Sequence, residues 1–133
     1  MNSPAYDIAD LLEDSAARTG LTVGTDLFVG QLPPEPDTCV AVTDSGGFEP
    51  DNGLVNFYHR PTIQVFSRSA DYDTAYANLE SIRDYLHRLT NTTVVGSAKY
   101  IAVFVLGEPF NLGEDENNNF RFTLNFSIWR TSL

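Results

Sequence analysis

Ser45, set in Thr43-Asp44-Ser45-Gly46-Gly47, has the residue type and glycine flank of a serine nucleophile. Such a hydroxyl needs a histidine to take its proton and a carboxylate to orient that histidine. Both histidines of the chain, His59 and His87, follow Ser45 in the sequence, and neither has a second ligand-type residue at i+3 or i+4. Gly46-Gly47 therefore reads as a turn rather than a nucleophile's flank. Asp115-Glu116-Asn117-Asn118-Asn119 opens like a calcium loop, with oxygen ligands at positions 1, 3 and 5. It then lacks the glycine needed at position 6, where Phe120 stands, and the bidentate glutamate needed at position 12, where Phe126 stands. A hairpin turn in which an asparagine adopts positive φ explains the segment better.

The other chemical candidates have simpler explanations. Glu13-Asp14 and Asp71/Asp73 are carboxylate pairs at helix ends, where capping and the helix dipole account for them. Tyr72 and Tyr76 lack the interleaved basic residues of a base-stacking platform, so they read as core or interface. Cys39 is the only cysteine, which excludes an intrachain disulfide and a thiolate metal cluster and suits a cytoplasmic site of synthesis. No phosphate loop or dinucleotide fingerprint is present, and no cofactor is expected.

Charge is the strongest compositional signal, with 18 acidic against 8 basic side chains, a formal net charge of −10. Residues 1–59 hold ten acids and only Arg18, whereas residues 60–133 hold eight acids against seven bases. Affinity for nucleic acid comes mainly from Lys and Arg displacing condensed counterions, so a DNA-gripping role is disfavoured. An acidic wall past which DNA slides, or a plain solubilising surface, fits the same numbers.

A chain of 133 residues with 42% hydrophobic and 12% aromatic content is expected to fold as a single domain, residues 1–133, with a substantial core. The start, Met1-Asn2-Ser3-Pro4, lacks the basic and apolar regions of a signal peptide, and no apolar run reaches the ~18 residues of a membrane span. Asn91-Thr92-Thr93 fits a glycosylation sequon but, without a secretory signal, reads as a turn.

The elements that would position these residues follow from periodicity. Ser3-Pro4 starts a helix to about Arg18, with Ile8, Leu11, Leu12 and Ala16 on one face, Asp7 and Asp10 near the favourable dipole end, and Gly20 ending it. Tyr72, Ala75, Tyr76, Leu79, Ile82, Leu86 and Leu89 mark a second helix within Asp71–Leu89. Strands are expected at Leu27–Gln31, Cys39–Thr43, Ile63–Arg68, Tyr100–Leu106 and Phe120–Trp129. In the last, Phe120, Phe122, Leu124, Phe126 and Ile128 alternate with polar residues. The other face of that strand is polar yet carries Trp129, and can meet solvent or a neighbouring subunit. Asp44–His59 reads as the longest irregular loop. The expected fold is α+β, a mostly antiparallel sheet of about four to five strands with two helices packed on one face.

Four stretches in this order and spacing resemble the tail terminator proteins of long-tailed bacteriophages, of the lambda tail-terminator type. They are Asp7-Ile8-Ala9-Asp10-Leu11-Leu12; Phe28-Val29-Gly30-Gln31-Leu32-Pro33 running to Cys39-Val40-Ala41-Val42; Arg60-Pro61-Thr62-Ile63-Gln64-Val65 with its helix to Leu89; and Leu106-Gly107-Glu108-Pro109 through the strand ending at Arg130. The resemblance implies a structural virion protein rather than an enzyme. Its copies would form a six-membered ring that caps the tail tube, stops its polymerisation and docks the head-completion proteins. It would be assembled in the host bacterial cytoplasm, located at the head-proximal end of the tail, and free of membrane. Genomic DNA would pass through the ring without specific binding. The rival readings are another head-tail connector or neck protein, and a small hydrolase using Ser45 or an acid pair. The family supplies no catalytic residues, so the candidate interface and channel residues come from this sequence alone: Glu35, Asp37, Asp44, Glu49, Asp51, His59, Glu114, Asp115 and Glu116.

Overall fold

Alternation of apolar and polar residues across Phe120–Ser132 builds the central strand of the protein. The computed structural model describes residues 1–52, 57–89 and 93–133, and side chains of residues 50–57 lie outside that description. The elements run α1 (Pro4–Glu13), a 3-10 turn (Ser15–Ala17), β1 (Leu27–Val29), β2 (Cys39–Asn52), β3 (Phe57–Ser69), α2 (Tyr72–His87), β4 (Thr93–Val95), β5 (Ala98–Val105), β6 (Phe110–Glu114) and β7 (Phe120–Ser132).

The expected sheet of four to five mostly antiparallel strands is corrected to a mixed, half-barrel sheet of seven among the described residues, in the order β1-β2-β3-β7-β5-β4 with β6 also on β7. The α+β class holds. β1 joins β2 in parallel, Leu27 opposite Val40. β4 is only three residues long, and β6 contains Gly113 at φ +88°, so neither announces itself by periodicity. β5 and β6 run in the same direction along one edge of β7, which they share: β5 pairs with Phe126–Ser132 and β6 with Phe120–Thr123.

A second correction concerns the segment expected as an irregular loop. Asp44–Asn52 continues β2 and Phe57–Pro61 begins β3, so Asp44–His59 belongs largely to a long antiparallel hairpin. Gly46-Gly47 is not a turn but sits where the register shifts between Asp44 and Gly47. A Cβ on Gly47 would stand 2.5 Å from the Arg60 carbonyl oxygen and 2.6 Å from Pro61 Cα, and its φ is +138°. The missing side chain lets β2 pass close to Pro61, whose ring cannot donate to a regular ladder.

Both helices contribute to one core. Ile8 and Leu12 of α1 and Leu79, Ile82 and Leu86 of α2 join Val40, Val42, Ile63, Val65, Tyr100, Phe122, Leu124, Phe126 and Ile128 in a single buried cluster. Tyr72 and Tyr76 set their rings edge-on against Phe122 at 5.0 and 5.6 Å between centroids. α1 ends earlier than expected because Asp14, extended at ψ 141°, caps the 3-10 turn through the Ala16 amide and Arg18 takes the left-handed conformation. None of the described helices is long and apolar enough to cross a membrane.

Candidate assembly surfaces

The candidate residues divide between the two ends of the sheet. At one end the connector from β1 to β2 is clamped by Arg68, whose Nε and Nη2 donate to the Asp37 and Pro36 carbonyls at 3.1 and 2.6 Å. Asn119 donates from Nδ2 to Asp37 Oδ1 at 3.2 Å, which ties this connector to the β6–β7 turn. In that turn Asp115 Oδ1 accepts the Asn117 and Asn119 amides at 2.8 and 3.0 Å, and Asn118 adopts φ +61°. The Asn119 amide, foremost, holds the Asp115 carboxyl below the ordinary carboxylate range. Asp115 is thus a turn former, and no cluster of three metal-ligating side chains occurs among the described residues. Glu35, Glu114 and Glu116 are exposed at the same end.

Asp44, Glu49 and His59 lie on the β2–β3 hairpin towards the other end, as does the backbone of Asp51, whose side chain is outside the described residues. From Cys39 to Glu49 is ten residues of strand, about 30 Å at ~3.3 Å per residue. Asp44 Oδ1 accepts the Ala5 amide at 3.0 Å and so occupies the start of α1. Ser45 Oγ meets Thr62 Oγ1 at 2.8 Å, so its hydroxyl is engaged by a neutral partner rather than by a histidine. His87 is exposed in the last turn of α2, remote in the chain from both groups.

Sequence reasoning missed a buried polar cluster between α1 and β7. Arg130 Nη1 donates to the Asn2 carbonyl at 2.8 Å and lies 3.3 Å from Asp7 Oδ2, which also accepts the Tyr100 hydroxyl at 2.7 Å. Burial, acting against Tyr100 and Arg130, holds Asp7 above the ordinary carboxylate range, and burial likewise raises Tyr100. The signal was present: Arg130 continues the inward phase of Phe122, Leu124, Phe126 and Ile128, so its charge required a buried partner.

The outward face of the sheet carries exposed aromatic side chains. Phe104 and Tyr58 flank Trp129 at centroid distances of 6.5 and 6.4 Å, and Phe104, Phe110 and Trp129 are 48%, 66% and 39% exposed. Further along the same face, towards β6, Leu32, Phe66, Leu112 and Arg121 line an apolar groove of about 310 Å³. These exposed side chains offer area for protein contact.

Residues 16–131 match a family model described as bacteriophage tail terminator protein. The chain belongs to that family. As a tail terminator it is a structural, non-enzymatic protein of the virion tail. A chain of a solved structure described as "Virion of native gene transfer agent (GTA) particle" is similar in fold, with a TM-score of 0.70 at 15% identity over 97% of this chain and 95% of that chain. No curated protein sequence matches this tail terminator.

Proposed function

We propose that this tail terminator forms a homohexameric ring that caps the tail tube, arrests its growth and presents its opposite face to head-completion proteins. Family membership over residues 16–131 carries the reading. The fold of a chain from a virion particle, and an outward sheet face with half-exposed Phe104 and Trp129, are consistent with it. Contacts between unlike surfaces that close into a ring leave two different faces, one for each partner. The β2–β3 hairpin and the Gly107–Asn119 segment, which includes β6, are the proposed partner-contacting segments.

Within the ring, the exposed acids Glu35 and Glu49 are the best candidates for a channel lining, because Asp37 and Asp44 are engaged in holding the fold. Since these two stand at opposite ends of the strand, both face the channel only if β2 runs along the ring axis. A negative lining prevents the many weak phosphate contacts that Lys or Arg would make with passing DNA.

The test mixes the purified protein with tail-tube subunits and follows tube length by electron microscopy, with native mass spectrometry of the protein alone and on the tube. Six copies on capped tubes of arrested length support the proposal. Uncapped tubes that lengthen unchecked count against termination and favour a different neck role.

A further inference from the structure

In a protein with ten more acids than bases, a cleft at one end of the sheet brings together two arginines and a histidine. It is about 400 Å³, lies between the start of α1 and the β2–β3 hairpin, and is lined by Pro4, Phe48, His59, Arg60 and Arg130 together with Asp44 and the Gly46-Gly47 backbone. Arg60 donates from Nε and Nη2 to the Glu49 carbonyl at 3.0 and 2.8 Å, which fixes the guanidinium without neutralising it. Arg130 is only 8% exposed and its charge is met by Asp7 at 3.3 Å, with its buried Nε lacking a partner among the described residues, so the charge left for an incoming group is that of Arg60. Asp44, the acid in the lining, accepts the Ala5 amide through Oδ1 in the first turn of α1, where the positive end of the helix dipole offsets part of its charge. On the rim, Phe48 is 62% exposed.

The opposite end of the molecule has the complementary character. The β6–β7 turn presents Glu114, Asp115 and Glu116 in succession beside Arg121, with both glutamates exposed. Along β7 the turn at Phe120 and the cleft at Arg130 are ten residues apart, about 33 Å at ~3.3 Å per residue, so a subunit's own turn cannot reach its own cleft.

We propose that the cleft at Arg60 receives the Glu114–Glu116 turn of a second copy of this chain, with Phe48 packing against the incoming turn. The contact is head to tail: each copy uses two unlike surfaces, the arrangement that closes into a ring when successive rotations return to the start. The inference rests on the ring reading above and adds the partner surfaces that would close it. The acid-to-guanidinium match fixes register and orientation, while the exposed apolar rim supplies desolvated area.

Sedimentation velocity and native mass spectrometry of the full chain, over a range of protein and salt concentrations with and without tail-tube subunits, test this. Glu114→Lys with Glu116→Lys is the primary variant, since Asp115 holds the turn and is left intact. It should fold as the wild type does by circular dichroism and weaken ring assembly at least about tenfold, with the effect of salt on assembly diminished. Arg60→Glu should weaken assembly comparably, and combining it with the two lysines should recover most of the loss. Restoration by the charge swap separates a direct contact from damage to the hairpin that Arg60 braces. A wild-type ring that both single-sided changes leave intact overturns the contact while the ring reading stands. A wild type that stays monomeric even on tubes overturns both. Salt-sensitive binding of a DNA duplex, abolished by Arg60→Glu in rings that the lysine changes leave intact, assigns the cleft to phosphate instead.

Discussion

Arg130 and Asp7, at opposite ends of the chain, meet at 3.3 Å in the space between β7 and α1, with 8% and 1% of their surfaces exposed. Removing one partner leaves the other charge buried and uncompensated. Asp7→Ala should therefore cost about 3–5 kcal/mol in urea unfolding, whereas Asp7→Leu combined with Arg130→Met should cost far less. The pH dependence has a definite sign. Because burial raises the Asp7 pKa in the folded state, the folded chain holds that proton more readily than the unfolded chain. Its contribution is fully present below the unfolded carboxylate pKa and is lost as pH rises through the raised native value. The stability of the wild type minus that of Asp7→Asn should fall across that interval; a difference that rises with pH contradicts the assignment.

Gly47→Ala should destabilise the β2–β3 hairpin by more than ~1 kcal/mol, because the new methyl would meet backbone atoms of Arg60 and Pro61 that have no flexible end to yield. Gly46→Ala meets nothing within 4 Å and should carry only the strain of its positive φ. Thermal unfolding of the two variants side by side gives the comparison, and equal losses would show that the close approach is unimportant.

The long apolar faces were legible in the sequence because their periods are set by backbone geometry alone. Leu79, Ile82 and Leu86 on α2, and Phe122, Leu124 and Phe126 on β7, are all in the core. β6 was not legible, since Phe110-Asn111-Leu112-Gly113 owes its extended form to pairing with β7 rather than to local preference. Nor was the extension of β2, because Gly-Gly and a proline at position 61 signal a turn and a strand boundary locally. Facing each other across the hairpin, they make a bulge instead. The division of the candidate surface residues between two ends of the sheet was not legible, because it depends on how far β2 and β3 extend beyond Asp44.

Leu86→Ala, at the foot of α2, should cost ~2–5 kcal/mol, since Leu86 is completely buried within the cluster that includes β7. Urea unfolding measures it directly. A loss below ~1 kcal/mol would mean that α2 repacks around the cavity.

Phe104→Ser should separate folding from assembly. Phe104 is 48% exposed on the outward face and packs there against Trp129, so its removal should change monomer stability by less than about 1 kcal/mol. If that face is buried between virion subunits, the same change should markedly reduce the fraction of protein in rings or on tubes. Unaltered assembly would assign the aromatic face to solvent.

The acids of residues 1–59 allow the channel proposal to be tested without disturbing the fold. Glu35 and Glu49 are exposed, and the groups that hold the connector and α1 are Asp37 and Asp44, so Glu35→Lys and Glu49→Lys leave those contacts in place. Rings carrying both changes should assemble as before, because neither side chain lines the proposed cleft or turn and Glu49 holds Arg60 through its backbone carbonyl, which the substitution keeps. Two lysines per subunit would place repeated cations along the path of the DNA. Each forms a transient phosphate contact of the counterion-releasing kind, and the contacts weaken as salt rises. Ejection of the genome from such particles, followed by dye release, should slow at low ionic strength and recover at high salt. Wild-type ejection rates at every salt concentration would move these carboxylates to the outer rim and leave solubility as their role.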